Sequence, residues 1–259
     1  MLSYRFSLIL TLVALLIITV AKYMMGYHQI SGWWYLLAGI HIGLCVWGAI
    51  NVRSGFFIKT LSSAQTTKKT VALTFDDGPL PEYTPRILDI LKAHQVKAVF
   101  FCIGRHIPDN EDLLQRIHEE GHVIGNHSYC HDFWFDMYNW RRMELDLLNM
   151  NDMAENVLDV QPRLFRPPYG VTNPNLATAV RKTNMTAIGW NIRSLDTVAK
   201  DEQKLLEHIL SKLKPGAVIL LHDTCRITAD ILPALIEGIR QRGYELERVD
   251  KLLKIPAYA

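Results

Sequence analysis

The chain has 259 residues, 49% of them hydrophobic, and its 28 Lys+Arg against 26 Asp+Glu give a formal charge of +2. That much apolar material can bury a sizeable core, which excludes a disordered or collagen-like polymer. Four scattered cysteines, Cys45, Cys102, Cys130 and Cys225, form no CxxC pair, so a disulfide-stapled miniprotein and a thiolate zinc finger are excluded as well.

Charge divides the chain in two. Residues 1–69 carry Arg5, Lys22, Arg53, Lys59, Lys68 and Lys69 and no acid, giving +6, whereas the remainder carries 22 basic and 26 acidic residues, giving −4. A basic, acid-free segment suits anionic headgroups, and a mildly acidic body is not suited to a nucleic-acid backbone.

From Phe6 to Ala21 the chain runs 16 residues without a charge, and a snorkelling Lys22 would let Tyr23, Met24 and Met25 extend the run toward the roughly 20 residues that span a bilayer. A second uncharged run, Trp33 to Ile50, opens with Trp33, Trp34 and Tyr35 as an aromatic belt and contains Gly39, Gly43 and Gly48, small enough for a close helix pair. His41 reads as a helix-packing polar group. The two runs predict a transmembrane hairpin over 1–50, anchored in a lipid bilayer. The alternative for the first run is a cleaved signal peptide with Met1 to Arg5 as its basic end, but Thr19, Val20 and Ala21 make a poor cleavage site. With two spans, Arg5, Arg53 and Lys59 outnumber Lys22 in the connection, so positive-inside bias leans toward a cytoplasmic body.

Residues 51–69, rich in Ser, Thr, Gln and Lys, read as a linker. Beyond it, seven short apolar runs are predicted strands: Val71 to Phe75, Ala98 to Ile103, His122 to Gly125, Leu164 to Arg166, Ala187 to Ile192, Ala217 to Leu221 and Tyr244 to Val249. Helical spacing lies between them, over Thr84 to His94, Glu111 to Glu120, Trp140 to Leu158, Pro174 to Lys182, Glu202 to Leu213 and Ala229 to Arg242. Alternation over residues 70–259 implies an α/β domain of parallel strands with helical crossovers, either a closed barrel or an open doubly wound sheet.

Polar motifs fall at the carboxyl ends of these strands. TFDDGP, Thr74 to Pro79, places adjacent carboxylates after the first strand, where one can bind a metal and the other stay free as a base. HSYCH sets His127 and His131 four residues apart, the spacing of two imidazoles on one side of a helical turn. Asp77 with these histidines would supply one carboxylate and two imidazoles and leave coordination positions open, as a catalytic metal requires. Cys130 is the rival ligand, and it would point away if the histidines converge. RPPYG at Arg166 to Gly170, the segment Trp190 to Thr197 and LLHD at Leu220 to Asp223 follow at later strand ends, and His222 can serve as a general acid. Chemistry gathered at one end of successive strands is how barrel active sites are built.

Over about residues 70–250 these motifs, in this order, resemble the polysaccharide deacetylases of carbohydrate esterase family four. The resemblance implies a distorted seven-stranded (β/α) barrel, here preceded by two transmembrane helices. TFDDGP resembles the first family motif, implying Asp76 as catalytic base and Asp77 as metal ligand, and HSYCH the second, implying His127 and His131 as the other ligands. RPPYG resembles the third, implying that Arg166 orients Asp76 and that the Tyr169 backbone N–H helps hold the oxyanion. LLHD resembles the last, implying Leu220 in the substrate pocket and His222 as general acid. The fourth motif departs: Arg193 takes the first acidic place, Asp196 remains to tune His222, and Thr197 replaces the aromatic, which leaves the pocket without its expected wall.

These residues predict a hydrolase of carbon–nitrogen, non-peptide bonds that removes the N-acetyl group from an amino sugar in peptidoglycan, a chitin-like oligomer or an exopolysaccharide. One divalent metal is expected, zinc by default, with cobalt, manganese or nickel also compatible with such donors. Two other readings are a deacylase or deformylase of a lipid-linked amino sugar at the membrane, and a catalytically silent glycan-binding membrane protein.

Overall fold

The computed structural model describes residues 2–24 and 32–259; Met1 and Met25, read above as parts of the basic end and of the first apolar run, lie outside them. Two helices come first, α1 (Tyr4–Met24) and α2 (Gly32–Ile50), both long and apolar enough to cross a membrane. They pack on each other, and His41 joins them through Thr11 Oγ1, 3.3 Å from its Nδ1. The glycines behave differently from the expectation of a small-residue seam. A Cβ at Gly39 or Gly43 would meet nothing within 4 Å, so neither brings the helices together. Of Gly39, Gly43 and Gly48, Gly48 alone is needed for close approach, because Phe56 of the following connection lies where its Cβ would be.

The body is a curled parallel sheet wrapped by helices. Its strands are β1 (Thr70–Asp76), β2 (Val99–Cys102), β3 (Val123–Asn126), β4 (Leu164–Phe165), β5 (Thr186–Ala187), β6 (Ile192–Arg193), β7 (Ala217–His222) and β8 (Glu245–Leu246). They run in the order β5-β4-β3-β2-β1-β7-β6, with β8 on the start of β1, and every pairing is parallel. The crossovers use α3 (Thr84–Ala93), α4 (Glu111–Glu119), α5 (Trp140–Leu158), α6 (Pro174–Lys182), α7 (Glu202–Ser211) and α8 (Arg226–Gln241); a short α9 (Val249–Leu253), not anticipated from the sequence, follows β8. Asn139 caps α5 by accepting from the N–H groups of Arg141 and Arg142, and Asn173 caps α6 by accepting from Leu176.

The fifth predicted strand, Ala187 to Ile192, is two pieces instead of one. Its start pairs with β4 and its end with β7, so this one segment bridges the two edges of the sheet. Gly189 and Trp190 lie between the pieces, where the chain crosses from one edge to the other, and hydropathy alone does not reveal that change of partner.

Side-chain alternation sorts the strands into two layers. Val71, Leu73 and Phe75 of β1, Phe100 and Cys102 of β2, and Ala217, Ile219 and Leu221 of β7 pack outward against the helices. Ala72, Val99, Phe101, Val123 and Val218 point inward and fill the barrel. The same alternation turns Thr74 and Asp76 inward on β1, and Leu220 and His222 inward on β7.

Residues 51–69 lie along the barrel. Leu61 bridges Ile188, Ser63 bridges Ala217, and Val52 and Phe56 are buried. The segment is therefore an outer strap over the bridging piece between β5 and β6.

Candidate active site

Register brings the two aspartates and the distal histidine together. Asp76 ends β1 directly opposite His222 on β7, so both side chains open into the same mouth. Asp77, the next residue, takes a left-handed backbone with φ 82 and turns away toward the histidines, which divides the adjacent carboxylates between two tasks. Gly78 follows because a Cβ there would meet the buried carboxylate of Asp223.

His127 continues the inward face of β3, while His131 is carried by a loop. The HSYCH segment is not a helical turn as its spacing suggested: Ser128 and His131 have left-handed backbones, φ 67 and φ 42, and the loop folds back on itself. What holds it is Asp146, a buried acid on α5 that accepts from the backbone N–H of Tyr129 at 2.7 Å and of Cys130 at 3.3 Å. Asn126 adds its side-chain oxygen to the N–H of Ser128. Neither residue was singled out from the sequence. Asp146 does leave a trace there, as an acid within the Met143, Leu147, Met150 stripe that α5 buries.

The three donors fit one metal ion. Asp77 Oδ1 lies 3.4 Å from His127 Nε2 and 3.6 Å from His131 Nε2, and the whole set falls within 4.8 Å. Tetrahedral ligands at about 2.0–2.1 Å from a metal are themselves roughly 3.3 Å apart. His127 Nδ1 is 2.9 Å from the Arg166 carbonyl, to which it can only donate, so Nε2 keeps its lone pair for a metal. Burial opposes a charge on Asp77, yet the hydrogen bond and charge of His127, with His222 and His131, hold its carboxyl well below the usual range; burial likewise opposes a charge on His127, but Asp76 and Asp77 raise its pKa, so a metal bound there would displace its proton. Burial, then His127, pushes His131 down to about 4, which keeps it neutral as a ligand must be. Cys130 stays outside this set: its thiol is pushed up to about 11 by burial and by Asp146. His127→Ala is therefore expected to abolish metal binding and activity together; one tightly held metal per chain in that variant, by elemental analysis, would show the ligand set to be wrong.

On one side of these donors sits the pair Asp76 and Arg166. Arg166 is fully buried and extends its guanidinium inside the barrel, 4.1 Å from the centre of the Phe101 ring. Gly125 leaves room for that ring, since a Cβ there would meet Phe101 at 2.5 Å. Nη1 donates to Asp76 Oδ1 at 2.7 Å and to Thr74 Oγ1 at 2.8 Å, and Nη2 donates to the Gly189 carbonyl at 3.1 Å. Asp76 Oδ2, free of the arginine, faces His127 Nε2 at 3.8 Å.

On the other side sit His222 and Asp196. Asp196 Oδ1 is 2.8 Å from His222 Nδ1, and Oδ2 accepts from the His222 N–H and from Thr228 Oγ1, both at 2.7 Å. Burial alone would lower the imidazole's pKa, but the hydrogen bond and charge of Asp196, reinforced by Asp76 and Asp77, push it up to about 9. A protonated His222 is thus present below pH 9 and lost as pH rises through it. Removing the carboxylate in Asp196→Asn lowers that pKa, so the alkaline limb of kcat/KM is expected to move to lower pH. An unmoved limb in the measured pH profile would detach His222 from it.

A cleft of about 210 Å³ connects the two sides, lined also by Leu220, Tyr169 and Gly170 of RPPYG, Trp190, Arg193 and Thr197. Tyr169 takes a left-handed backbone, φ 56, which turns RPPYG toward the cleft. Thr197 lines the cleft without an aromatic ring, and Trp190 is a second lining residue that does carry one, packed where a Cβ on Gly170 would lie.

The polysaccharide deacetylase family model matches residues 63–188. The peptidoglycan N-acetylmuramic acid deacetylase of Bacillus subtilis is 32% identical over 193 residues, 73% of each chain. The chain belongs to the polysaccharide deacetylase family. A solved peptidoglycan N-acetylglucosamine deacetylase, in complex with 4-naphthalen-1-yl-N-oxidanyl-benzamide, superposes with a TM-score of 0.73 at 29% identity, covering 76% of this chain and 94% of its own. A family pseudoenzyme from Bacillus anthracis superposes with a TM-score of 0.70 at 30% identity, covering 75% and 68%. The barrel is thus that of the polysaccharide deacetylases, and membership by itself does not guarantee turnover.

Proposed function

We propose that this polysaccharide deacetylase homologue is a metal-dependent hydrolase that removes the N-acyl group from an amino sugar, anchored in a membrane by α1 and α2. The observation that carries the reading is the convergence, in one cleft, of a three-donor metal cradle with a carboxylate on one flank and a histidine on the other. A metal held by Asp77, His127 and His131 would polarise the acyl carbonyl and acidify a bound water.

The chain's own groups divide the remaining work. Asp76, fixed through Oδ1 by Arg166, has Oδ2 free to take a proton from the attacking water. The Tyr169 N–H helps hold the oxyanion that develops as water adds. His222, held protonated by Asp196, gives its proton to the departing amine, without which an amide nitrogen is a very poor leaving group. Asp76 and His222 are register partners on adjoining strands, so base and acid open into the same cleft.

The small cleft favours a substrate that inserts only its acylated end. Its volume is below the roughly 300 Å³ at the low end of pockets that enclose a whole small ligand. Leu220 and Trp190 would flank the acyl group, with the rest of the sugar outside. The relatives named above support peptidoglycan as the first substrate to test. The silent reading is disfavoured because every residue assigned to metal, base, acid and their supports is present.

The experiment is acetate release by the full chain in detergent, with and without chelator and added zinc, against N-acetylglucosamine oligomers, peptidoglycan and a lipid-linked N-acetylated sugar. Chelator-sensitive release from one of them is expected. Absence of release from all three by protein carrying one metal per chain would overturn deacetylation and leave another acyl group, such as formyl, or the silent reading.

A further inference from the structure

The ends of α1 and α2 are joined to the loops of the catalytic mouth. The N–H of Thr172, three residues beyond Tyr169, donates to the carbonyl of Ala49 near the end of α2 at 3.0 Å, and its hydroxyl donates to Gly48 O at 3.2 Å. Tyr4, at the start of α1, donates its N–H to Phe56 O at 2.8 Å, and Phe56 packs under Gly48. The next residue along, Asn173, donates from its side chain to the carbonyl of Asp136 at 2.9 Å. Asp136 belongs to the loop that follows HSYCH, and this loop holds Phe133, Trp134 and Met137 out to solvent at 73%, 62% and 77% exposure. Phe133 reaches back to the rim of the cleft, its ring 6.5 Å from that of Tyr169.

A second feature flanks the same helix ends. A groove of about 520 Å³ lies between the start of α1, residues 55–59 and the first turns of α6. Its charged lining consists of Arg5, Lys59 and Arg181, with no acid. Apolar and aromatic side chains exposed beside a cationic groove match the two layers of a bilayer surface, acyl boundary and anionic headgroup.

We propose that this face, the loop of Phe133, Trp134 and Met137 together with the groove of Arg5, Lys59 and Arg181, seats on the anionic surface of the bilayer that holds α1 and α2. The cleft then opens at the membrane surface, and the sugars it meets are those carried on or close to the lipid. The inference rests on the membrane anchoring proposed above. It is argued from continuity: one residue, Thr172, ties the end of α2 to RPPYG, and its neighbour Asn173 ties RPPYG to the exposed loop. A helix end at the bilayer boundary therefore brings the loop to that boundary too.

The test uses the full chain in vesicles of phosphatidylcholine and phosphatidylglycerol, with a photoreactive benzoylphenylalanine placed singly at residue 133, 137, 16 or 247. Leu16 lies within α1, and Glu247 lies beside β8 at the opposite end of the barrel. Phospholipid adducts are expected at 133 and 137, as at 16, and not at 247. Their preference for phosphatidylglycerol should be lost in the triple variant Arg5→Gln, Lys59→Gln, Arg181→Gln. Adducts at 16 without any at 133 or 137 would overturn the seating while leaving the membrane span intact. No adduct at 16 would remove the span, and the seating with it. When an N-acetylglucosamine oligomer is supplied together with the vesicles, capture of the oligomer instead of lipid at 133 would reassign the face to glycan.

Discussion

Replacing Asp76 with Asn is expected to lower kcat by about 10²- to 10⁴-fold, the range for loss of a positioned general base, while the chain keeps one bound metal. The two effects separate because adjacent carboxylates face different ways. Asp77, turned by its left-handed backbone, belongs to the metal cradle, and Asp76 remains on the inner face of β1 with the arginine. An asparagine there still offers Oδ1 to Arg166 Nη1, so the fold and the cradle should persist. What disappears is the basicity of the second oxygen. Steady-state rates and elemental analysis on the same preparation decide the matter, and parent-level turnover in the variant would remove Asp76 from the mechanism. A variant that loses metal as well would instead make Asp76 a ligand.

The second large effect is expected at Arg166, and it falls on stability as well as on rate. Arg166→Met keeps an unbranched apolar stem, shorter than the arginine and without its guanidinium, and so leaves Asp76 without its partner and the carbonyls of Ile188 and Gly189 without their donors. Breaking a buried ion pair by removing one member costs about 3–5 kcal/mol, chiefly because the remaining charge stays buried. In a domain of this size that lowers the unfolding midpoint by on the order of 10 °C. Arg166→Lys retains the charge but not the planar fork that reaches Asp76 and Gly189 at once, so it should recover only part of either loss. Thermal unfolding of the three proteins, with kcat measured well below each transition, tests this. A methionine variant as stable as the parent would mean that the barrel interior tolerates a lone Asp76 carboxylate.

Arg166 also shows how the fold and the site depend on each other. Its acceptor Gly189 belongs to the piece of chain that crosses from β5 to β6, and Phe101 beneath its guanidinium belongs to the barrel core. The strap of residues 51–69 packs on this region from outside, where Ser62 and Val52 approach Gly189. The arginine that orients the base is thereby linked to the segment that leads to α2.

Much of this protein was legible in its sequence because the relevant signals are local. Hydropathy runs located α1 and α2, and apolar periodicity located the crossover helices, with Trp140–Leu158 and Pro174–Lys182 matching to the residue. Short apolar runs ending in polar motifs located the strands and the residues at their ends, since a parallel barrel collects its chemistry at the carboxyl ends of its strands. Asp76, Asp77, His127, His131 and His222 could be singled out without coordinates for that reason, and Arg166 as the residue orienting Asp76 through the family resemblance of RPPYG.

The tertiary structure decided what depends on pairing and on backbone conformation. One apolar run, Ala187 to Ile192, became two strands because its ends take different neighbours, and pairing partners are not written in hydropathy. The histidines converge through left-handed residues at Ser128 and His131, held by Asp146 from a helix that follows in the chain, a different route from the helical turn that their spacing suggested. Trp190 lines the cleft beside Thr197 and packs against Gly170, a contact that position in a motif does not reveal. The hydrogen bonds from Thr172 to Ala49 and from Asn173 to Asp136 join segments more than thirty residues apart, and only folding brings the end of α2, the RPPYG loop and the exposed aromatic loop together.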